Sequence, residues 1–467
     1  MIFSEYKYIS TFIAIEDNGE TLDYREINSL KDEFVSFQRG KELVFCLCEN
    51  SIASLAGYIS CLCAGMVPVL LDACKDVTLI KNLIGIYRPF YIWMPNKLEQ
   101  LFENTQKVCC FRSYIFVKTE FPNQTIYNDL ALLLTTSGTT GSPKLVRLSY
   151  NNLLSNTHSI AEYLNITNKE RPIMSLPMYY SYGLSVINSH LIKGATILMT
   201  DKPVVQKEFW TFAKEQGATS IAGVPYTYEI LKRLRFFRMN LPELKTMTQA
   251  GGKLNANLAK EYIEEARNAG KRFIVMYGQT EATARMSYLP PEKALEKYAS
   301  IGVPIPGGKF ILTDDNGHEI IEVDRDGELV YFGSNVSMGY AECREDLSKG
   351  DENNGILHTG DIARRDSDGF YYITGRMKRF VKIFGNRVNL DILEQFLKVV
   401  TSSCACVGTD EKITVFVTET GKEEEIKSFL IKKTGLYVRA FDVRIIDDIP
   451  KNSSGKIQYT QLTQLLD

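Results

Sequence analysis

The sequence predicts an α/β fold: a large N-terminal domain of helix-covered β-sheets, a small β region after it, and a small C-terminal α+β domain. Three observations predict this. From Thr21 onward, short apolar runs alternate with helical stretches, the pattern of sheets covered by helices on both faces. Near Gly302 the texture changes to turn-rich, alternating segments that suit antiparallel strands. With 467 residues the chain also exceeds what one hydrophobic core supports, so more than one lobe is expected.

Taken in order, LVFCLCE, MVPVLLD, FYIWM and YIFVK read as strands between Thr21 and Asn128, with YREINSLKDEFVSFQ and VTLIKNLIGIY as helices among them. Asn50 to Leu71 carry no charge, a stretch long enough to suggest a membrane span. Gly65 and Pro68 divide it instead into a buried helix, SIASLAGYISCLCAG, and a buried strand. DLALLL is a further buried strand. A second series follows, with RPIMSLP, ATILMT, ATSIAGVP, LKTMTQAGG and RFIVMYGQTE as strands or strand ends and NNLLSNTHSIAEYL and NANLAKEYIEEARNAG as helices. In the small β region, turns are expected at Asn316-Gly317 and Asp326-Gly327. Beyond Arg376, RFVKIFG, CACVGTD, KITVFVTE and VRAFDVRIID read as strands, and LDILEQFLKVV and KEEEIKSFLIKK as helices. The charge run Lys422 to Lys427 is the solvated start of the second of these helices.

Composition excludes some functions. A net charge of −2 with 45% hydrophobic and 24% charged residues offers no basic excess to hold nucleic acid. The ten cysteines lack metal-ligand spacing with the four scattered histidines, so zinc is not expected. Cys46, Cys48, Cys61 and Cys63 lie in apolar runs and read as buried reduced thiols. The start, MIFSEYKYIS, holds Glu5 and only a short apolar run, so a cytoplasmic protein without stable membrane insertion is expected.

The stretch TTSGTTGSPK, Thr135 to Lys144, follows DLALLL, so its hydroxyls and amides leave a strand end, where open α/β sheets bind ligands. Gly138 and Gly141 let backbone N–H groups approach an oxyanion; Ser137, Thr139 and Thr140 can donate hydroxyl hydrogen bonds; Lys144 adds charge. Pro143 breaks the GxxxxGK[ST] spacing of a P-loop. Alone, the stretch reads equally as a solvated turn and as a phosphate cradle.

Four later stretches change the balance: YGQTE (Tyr277 to Glu281), HTGDIARRDSDGFYYITGR (His358 to Arg376), KRFVKIFGNRV (Lys378 to Val388) and IPKNSSGKIQY (Ile449 to Tyr459). With TTSGTTGSPK before them, and TLDYREINSL and AGMVPVLLD earlier still, the chain resembles the adenylate-forming superfamily nearly end to end. That superfamily comprises acyl- and aryl-CoA synthetases, peptide-synthetase adenylation domains and luciferases.

The resemblance implies an acid–thiol ligase using ATP and Mg²⁺. A carboxylic acid would attack the α-phosphate to give an acyl-adenylate and pyrophosphate, and a thiol of CoA or of a carrier protein's phosphopantetheine would then take the acyl group. It implies that Thr136, Ser137, Gly138, Thr139, Thr140, Gly141 and Lys144 embrace the outer phosphates. Glu281 would bind Mg²⁺, Thr280 the α-phosphate, and Tyr277 would stack on adenine beside Gly251, Gly252 and Gly278. Asp361 would accept both ribose hydroxyls, with Ile373 and Arg376 also at the nucleotide. Lys456 would contact the carboxylate and α-phosphate during adenylation.

The same resemblance implies an N-terminal AMP-binding domain over residues 1–376 and a mobile lid over 377–467, with a hinge at Lys378. Gly385 would let a pantetheine arm pass, while Lys382 reads either as an aid to thiol transfer or as a surface strand lysine. Tyr180, Tyr182 and Val224 fall in the expected acyl pocket, although both tyrosines are also readable as core packing. Amino-acid-activating members carry an aspartate in the region here reading LPMYYSYGLSV, and none stands there, which favours an acid without an α-ammonium group. An amino-acid-activating ligase serving a carrier protein and a non-catalytic AMP-binding homologue remain the alternatives. One departure from the family is Ile392, where a first glutamate is common, although Glu394 is kept.

Overall fold

The computed structural model describes residues 12–74, 77–102, 104–135, 144–383, 386–409, 412–451 and 457–466, without the side chains of Lys378, Phe380, Lys382, Asn386 and Arg387. The chain forms two compact units. The larger runs to Lys309 and takes in Tyr331–Leu357; the smaller comprises Phe310–Val330 and His358–Asp467.

Two sheets build the larger unit. In the first, the described strands lie in the order Tyr340–Ala341, Leu145–Ser149, Leu130–Thr135, Val67–Asp72, Leu43–Cys48, Tyr91–Pro95, Tyr114–Lys118 and Gln106–Phe111. The four central strands, Leu130–Thr135 through Tyr91–Pro95, are parallel and antiparallel strands flank them. Such central strands are covered on both faces and so read as unbroken apolar runs. Leu43–Cys48 is buried at every position.

The uncharged stretch divides as its glycine and proline suggest. Ile52–Ala64 is a helix that Ser51 caps at one end and Gly65 closes at the other with φ 78°. Its Gly57 lies flat on the Trp93 ring: a Cβ there would meet Trp93 Nε1 at 2.1 Å. Trp93 Nε1 donates to Ala53 O at 3.1 Å, which allows a fully buried indole to keep its hydrogen bond. Three of the four cysteines in this region are buried, and burial pushes the Cys46 and Cys48 thiols up. Cys63 is half-buried instead, because it falls near the end of the helix.

The second sheet runs Val303–Pro304, Ser287–Tyr288, Arg272–Tyr277, Thr246–Gln249, Ser220–Gly223, Pro172–Ile173, Ile197–Met199, Ala14–Glu16 and Thr21–Leu22. Its central strands are parallel, with Gly223, Gln249 and Val275 in register, so three neighbouring strands end at one edge. Ser181–Leu191, read from sequence only as pocket lining, is a helix buried along its whole length. Its serines, asparagine and histidine are spread among the apolar residues, so no amphipathic stripe announces it.

In the smaller unit the described four-stranded sheet has the order Lys309–Thr313, Gly327–Phe332, Ile356–Arg365 and Tyr371–Arg376. The expected turn at Asn316-Gly317 is present, with Gly317 at φ 80°. The turn expected at Asp326-Gly327 is not there: Asp324 takes the left-handed conformation at φ 57°, and Gly327 is already in the strand. That glycine is needed for packing, since a Cβ would meet Ile320 Cδ1 at 2.6 Å and Thr313 O at 2.7 Å. A three-stranded sheet, Cys404–Gly408, Ile413–Val417 and Phe441–Ile445, packs with the helices Leu390–Leu397 and Glu423–Thr434 around its own core.

Candidate functional site

In the larger unit the predicted residues gather where the parallel strands of the second sheet end. Ser220–Gly223 delivers Val224, Thr246–Gln249 delivers Gly251 and Gly252, and Arg272–Tyr277 delivers Gly278 to Glu281. This is the carboxyl edge at which α/β sheets bind ligands. Gln249 is buried and its Nε2 donates to Gly252 O at 2.9 Å, fixing the glycine turn. Gly251 has φ 81°, and a Cβ on it would meet Tyr180 Oη at 2.5 Å and Val224 Cγ1 at 3.1 Å. Tyr180 and Val224 therefore stand against the glycine pair. Burial pushes the Tyr180 phenol up to about 12.

The YGQTE segment folds into a tight return. Thr280–Ala282 is a single 3₁₀ turn, followed by Thr283 and Ala284 at φ 57° and 99°, two left-handed residues in succession without glycine. Each costs about 1–3 kcal/mol and persists only where surroundings over-determine it. Here Asn335 does so: its Nδ2 donates to Ala282 O at 2.8 Å and Arg285 O at 3.1 Å, while Thr283 Oγ1 donates to Asn335 O at 2.7 Å. Tyr331 Oη donates to Asn335 Oδ1 at 2.8 Å, so the clamp is itself held. Gly278 is required because a Cβ would sit 1.9 Å from Ala284 O.

This return presents Thr280 and Glu281. Thr280 Oγ1 lies 3.0 Å from Ser181 Oγ at the start of the Ser181–Leu191 helix. Glu281 Oε1 accepts from Tyr340 Oη at 2.8 Å. A carboxylate beside hydroxyls is the hard-oxygen set that suits Mg²⁺, so the residues present fit that ion. Lys144 Nζ lies 2.5 Å from Glu342 Oε1 and 5.5 Å from the Tyr340 ring centroid, which places the described end of the TTSGTTGSPK stretch beside Glu281's hydrogen-bond partner. Sequence reasoning passed over Tyr340 and Asn335. Both lie more than fifty residues beyond YGQTE, outside any local motif.

Tyr182 is buried, donates its phenol to Thr248 Oγ1 at 2.9 Å, and stands edge-on to Tyr180 with ring centroids 6.3 Å apart. It has the environment of a core residue as well as a place next to Tyr180.

In the smaller unit, Asp361 and Arg376 face each other across the hairpin closed at Asp368-Gly369. Asp361 is 2% exposed and its Oδ1 accepts from Arg376 Nε at 3.1 Å. Ile373 is opposite Ala363 on the same hairpin. Thr136, Ser137, Gly138, Thr139, Thr140, Gly141, Gly385 and Lys456 lie outside the described residues, as do the side chains of Lys378 and Lys382.

Comparison with known proteins identifies the class. Residues 92–341 match the family model described as "AMP-binding enzyme". The chain is 31% identical over 350 residues to an oxalate–CoA ligase of Arabidopsis thaliana, a match spanning 71% of this chain and 66% of that protein. It is 29% identical to a 2-succinylbenzoate–CoA ligase of Bacillus cereus over 72% of this chain and 70% of the relative. ATP-bound MatB of Rhodopseudomonas palustris shares the fold, with a TM-score of 0.81 at 21% identity over 99% and 98% of the two chains. The chain belongs to the AMP-binding enzyme family. The expected adenylate-forming superfamily and its α/β architecture are thereby borne out, as is the class of AMP-forming acid–thiol ligase with ATP, Mg²⁺ and CoA. No helix among the described residues is long and apolar enough to cross a membrane.

Proposed function

We propose that this chain activates a small carboxylic acid as its acyl-adenylate and then passes the acyl group to the thiol of CoA. The observation that carries this reading is the gathering of Tyr180, Val224, Gly251 and the Tyr277 to Glu281 return at one sheet edge. An acid pocket there would adjoin the groups that handle the nucleotide. Thr280 would donate to the α-phosphate, Tyr277 and the Gly251-Gly252 backbone would flank adenine, and Asp361 and Arg376 would bind the ribose. Mg²⁺ held by Glu281 would supply neutralising charge on the phosphates. Preorganised donors of this kind favour the transition state because they need no reorientation as charge develops.

Lys456 is the proposed catalytic lysine, and Lys378 the hinge of a lid comprising 377–467, a boundary inside the smaller compact unit. Thr136 to Gly141 with Lys144 are proposed to cradle the outer phosphates, and Lys382 with Gly385 to serve thiol transfer. The deciding measurement is acid-dependent ATP–pyrophosphate exchange. Lys456→Ala is expected to abolish exchange while ATP still binds; exchange at the parent rate in that variant would remove the assignment.

A further inference from the structure

Among the described residues, two arginines are buried, Arg147 and Arg285, and a third, Arg379, is largely covered; Arg147 and Arg379 are neutralised. Arg147 pairs with Glu352 and donates to the carbonyls of Met338, Tyr340, Lys349 and Gly350. Arg379 pairs with Asp391 and Glu394 at 2.8 and 2.6 Å. Arg285 differs. It is 1% exposed, yet its partners are the Ser185 hydroxyl at 3.0 Å, the Tyr163 hydroxyl at 3.2 Å, the Met276 sulfur at 3.2 Å and the face of Tyr182 at 5.0 Å. All are neutral. These bonds use Nε and Nη1, leaving Nη2 without a hydrogen bond among the described residues.

Burying a cation without a counter-charge is strongly unfavourable. Such a group is a natural seat for an anion. Arg285 borders a cavity also lined by Thr248, Val186, His190, Ser220 and Arg272, with room for water centres of about 20 Å³. That accommodates a water or the end of a small polar group, not an alkyl chain. Glu170 lines the same cavity but makes no ion pair with Arg285.

The position of Arg285 relative to the proposed chemistry follows from one helix. Ser181 Oγ touches Thr280 and Ser185 Oγ touches Arg285, and these serines are four residues, about 6 Å, apart along the helix axis. An α,ω-dicarboxylic acid of four to six carbons spans roughly 4–6 Å between its carboxyl carbons. We infer that Arg285 is the specificity-determining residue of the acid site and holds the second carboxylate of a short dicarboxylic acid whose first carboxylate reacts near Thr280. This rests on the acid-activation reading above. The guanidinium fork suits a carboxylate bidentately, and its Cζ lies over the Tyr182 ring, 5.0 Å from the centroid.

The test is ATP–pyrophosphate exchange by the full chain with succinate, glutarate and adipate against butyrate, valerate and hexanoate. The best diacid is expected to exceed its chain-matched monoacid by at least about 100-fold in kcat/KM, since a site built around a charged donor rejects the ligand lacking its partner. Arg285→Met should collapse that ratio to near unity and Arg285→Lys should retain part of it. A ratio is read because partial unfolding lowers both rates together. If a variant does not fold, the wild-type ratio decides alone. Exchange with monoacids equal to or better than diacids overturns the Arg285 assignment and leaves acid activation standing. Exchange with no acid at all overturns both.

Discussion

Tyr340 donates its phenolic hydrogen to Glu281 Oε1 across 2.8 Å, and Lys144, held on Glu342, lies over the same ring. Burial first, then the charge of Glu281, pushes the Tyr340 phenol up, so it remains a donor at any working pH. Tyr340→Phe should leave Glu281 less well aimed while changing packing little. The Mg²⁺ concentration giving half-maximal pyrophosphate exchange is expected to rise about fivefold, in line with roughly 1 kcal/mol for a half-exposed hydrogen bond. An unchanged Mg²⁺ titration would show that Tyr340 does not position Glu281.

Gly251 and Tyr180 provide a second test. Gly251→Ala puts a methyl 2.5 Å from the Tyr180 hydroxyl, whereas the next ring carbon is 3.6 Å away. The single variant should lose stability and exchange activity. Adding Tyr180→Phe should recover most of the contact penalty, leaving about 1 kcal/mol from the positive φ. Denaturant melts of the two single variants and the double variant measure the coupling, and strict additivity would contradict the contact.

Asn335 holds the strained return that carries Glu281. Asn335→Ala removes the hydrogen bonds donated to the Ala282 and Arg285 carbonyls, of which the Arg285 carbonyl keeps one from Asn156, with a further loss at Tyr331. The expected destabilisation is about 2–4 kcal/mol by urea unfolding. Exchange activity at temperatures where the variant remains folded should fall as well, because Thr283 and Ala284 are then free to leave their left-handed conformations.

His190 predicts a pH dependence. Burial, above all, holds its imidazole down to about 4 from the ordinary 6.5, and the charge of Arg285 acts in the same direction. Above pH 6.5 both folded and unfolded states are neutral here and the contribution to stability is complete. As pH falls from 6.5 towards 4 the unfolded chain takes up a proton that the folded chain refuses, so stability is lost, by about 3 kcal/mol across the window. His190→Gln should flatten that part of the profile in unfolding experiments between pH 7 and pH 4.5. A wild-type slope in the variant would assign the loss to other groups.

Asp361 is expected to matter for affinity rather than for folding of the larger unit. Asp361→Ala should weaken ATP binding at least about tenfold, the loss expected for a carboxylate proposed to accept both ribose hydroxyls. Calorimetric titration with ATP checks this, and parent affinity would refute the ribose role.

Local pattern alone was enough for much of this molecule. Gly65 and Pro68 split the uncharged stretch because an αL cap and a missing N–H act within a few residues of themselves. The order of the family motifs likewise identified the AMP-binding family without a structure. Where long-range packing competes, local pattern misled: Gly327 looks like the second residue of a hairpin turn, but it is glycine because Ile320 and Thr313 leave no space for a Cβ. The Tyr340 bond to Glu281, the Asn335 clamp and the neutral surroundings of Arg285 belong wholly to the folded chain. Tyr163, Ser185, Met276 and Arg285 come from separate segments, and only their convergence in a water-poor interior reveals a positive charge with no negative one beside it among the described residues.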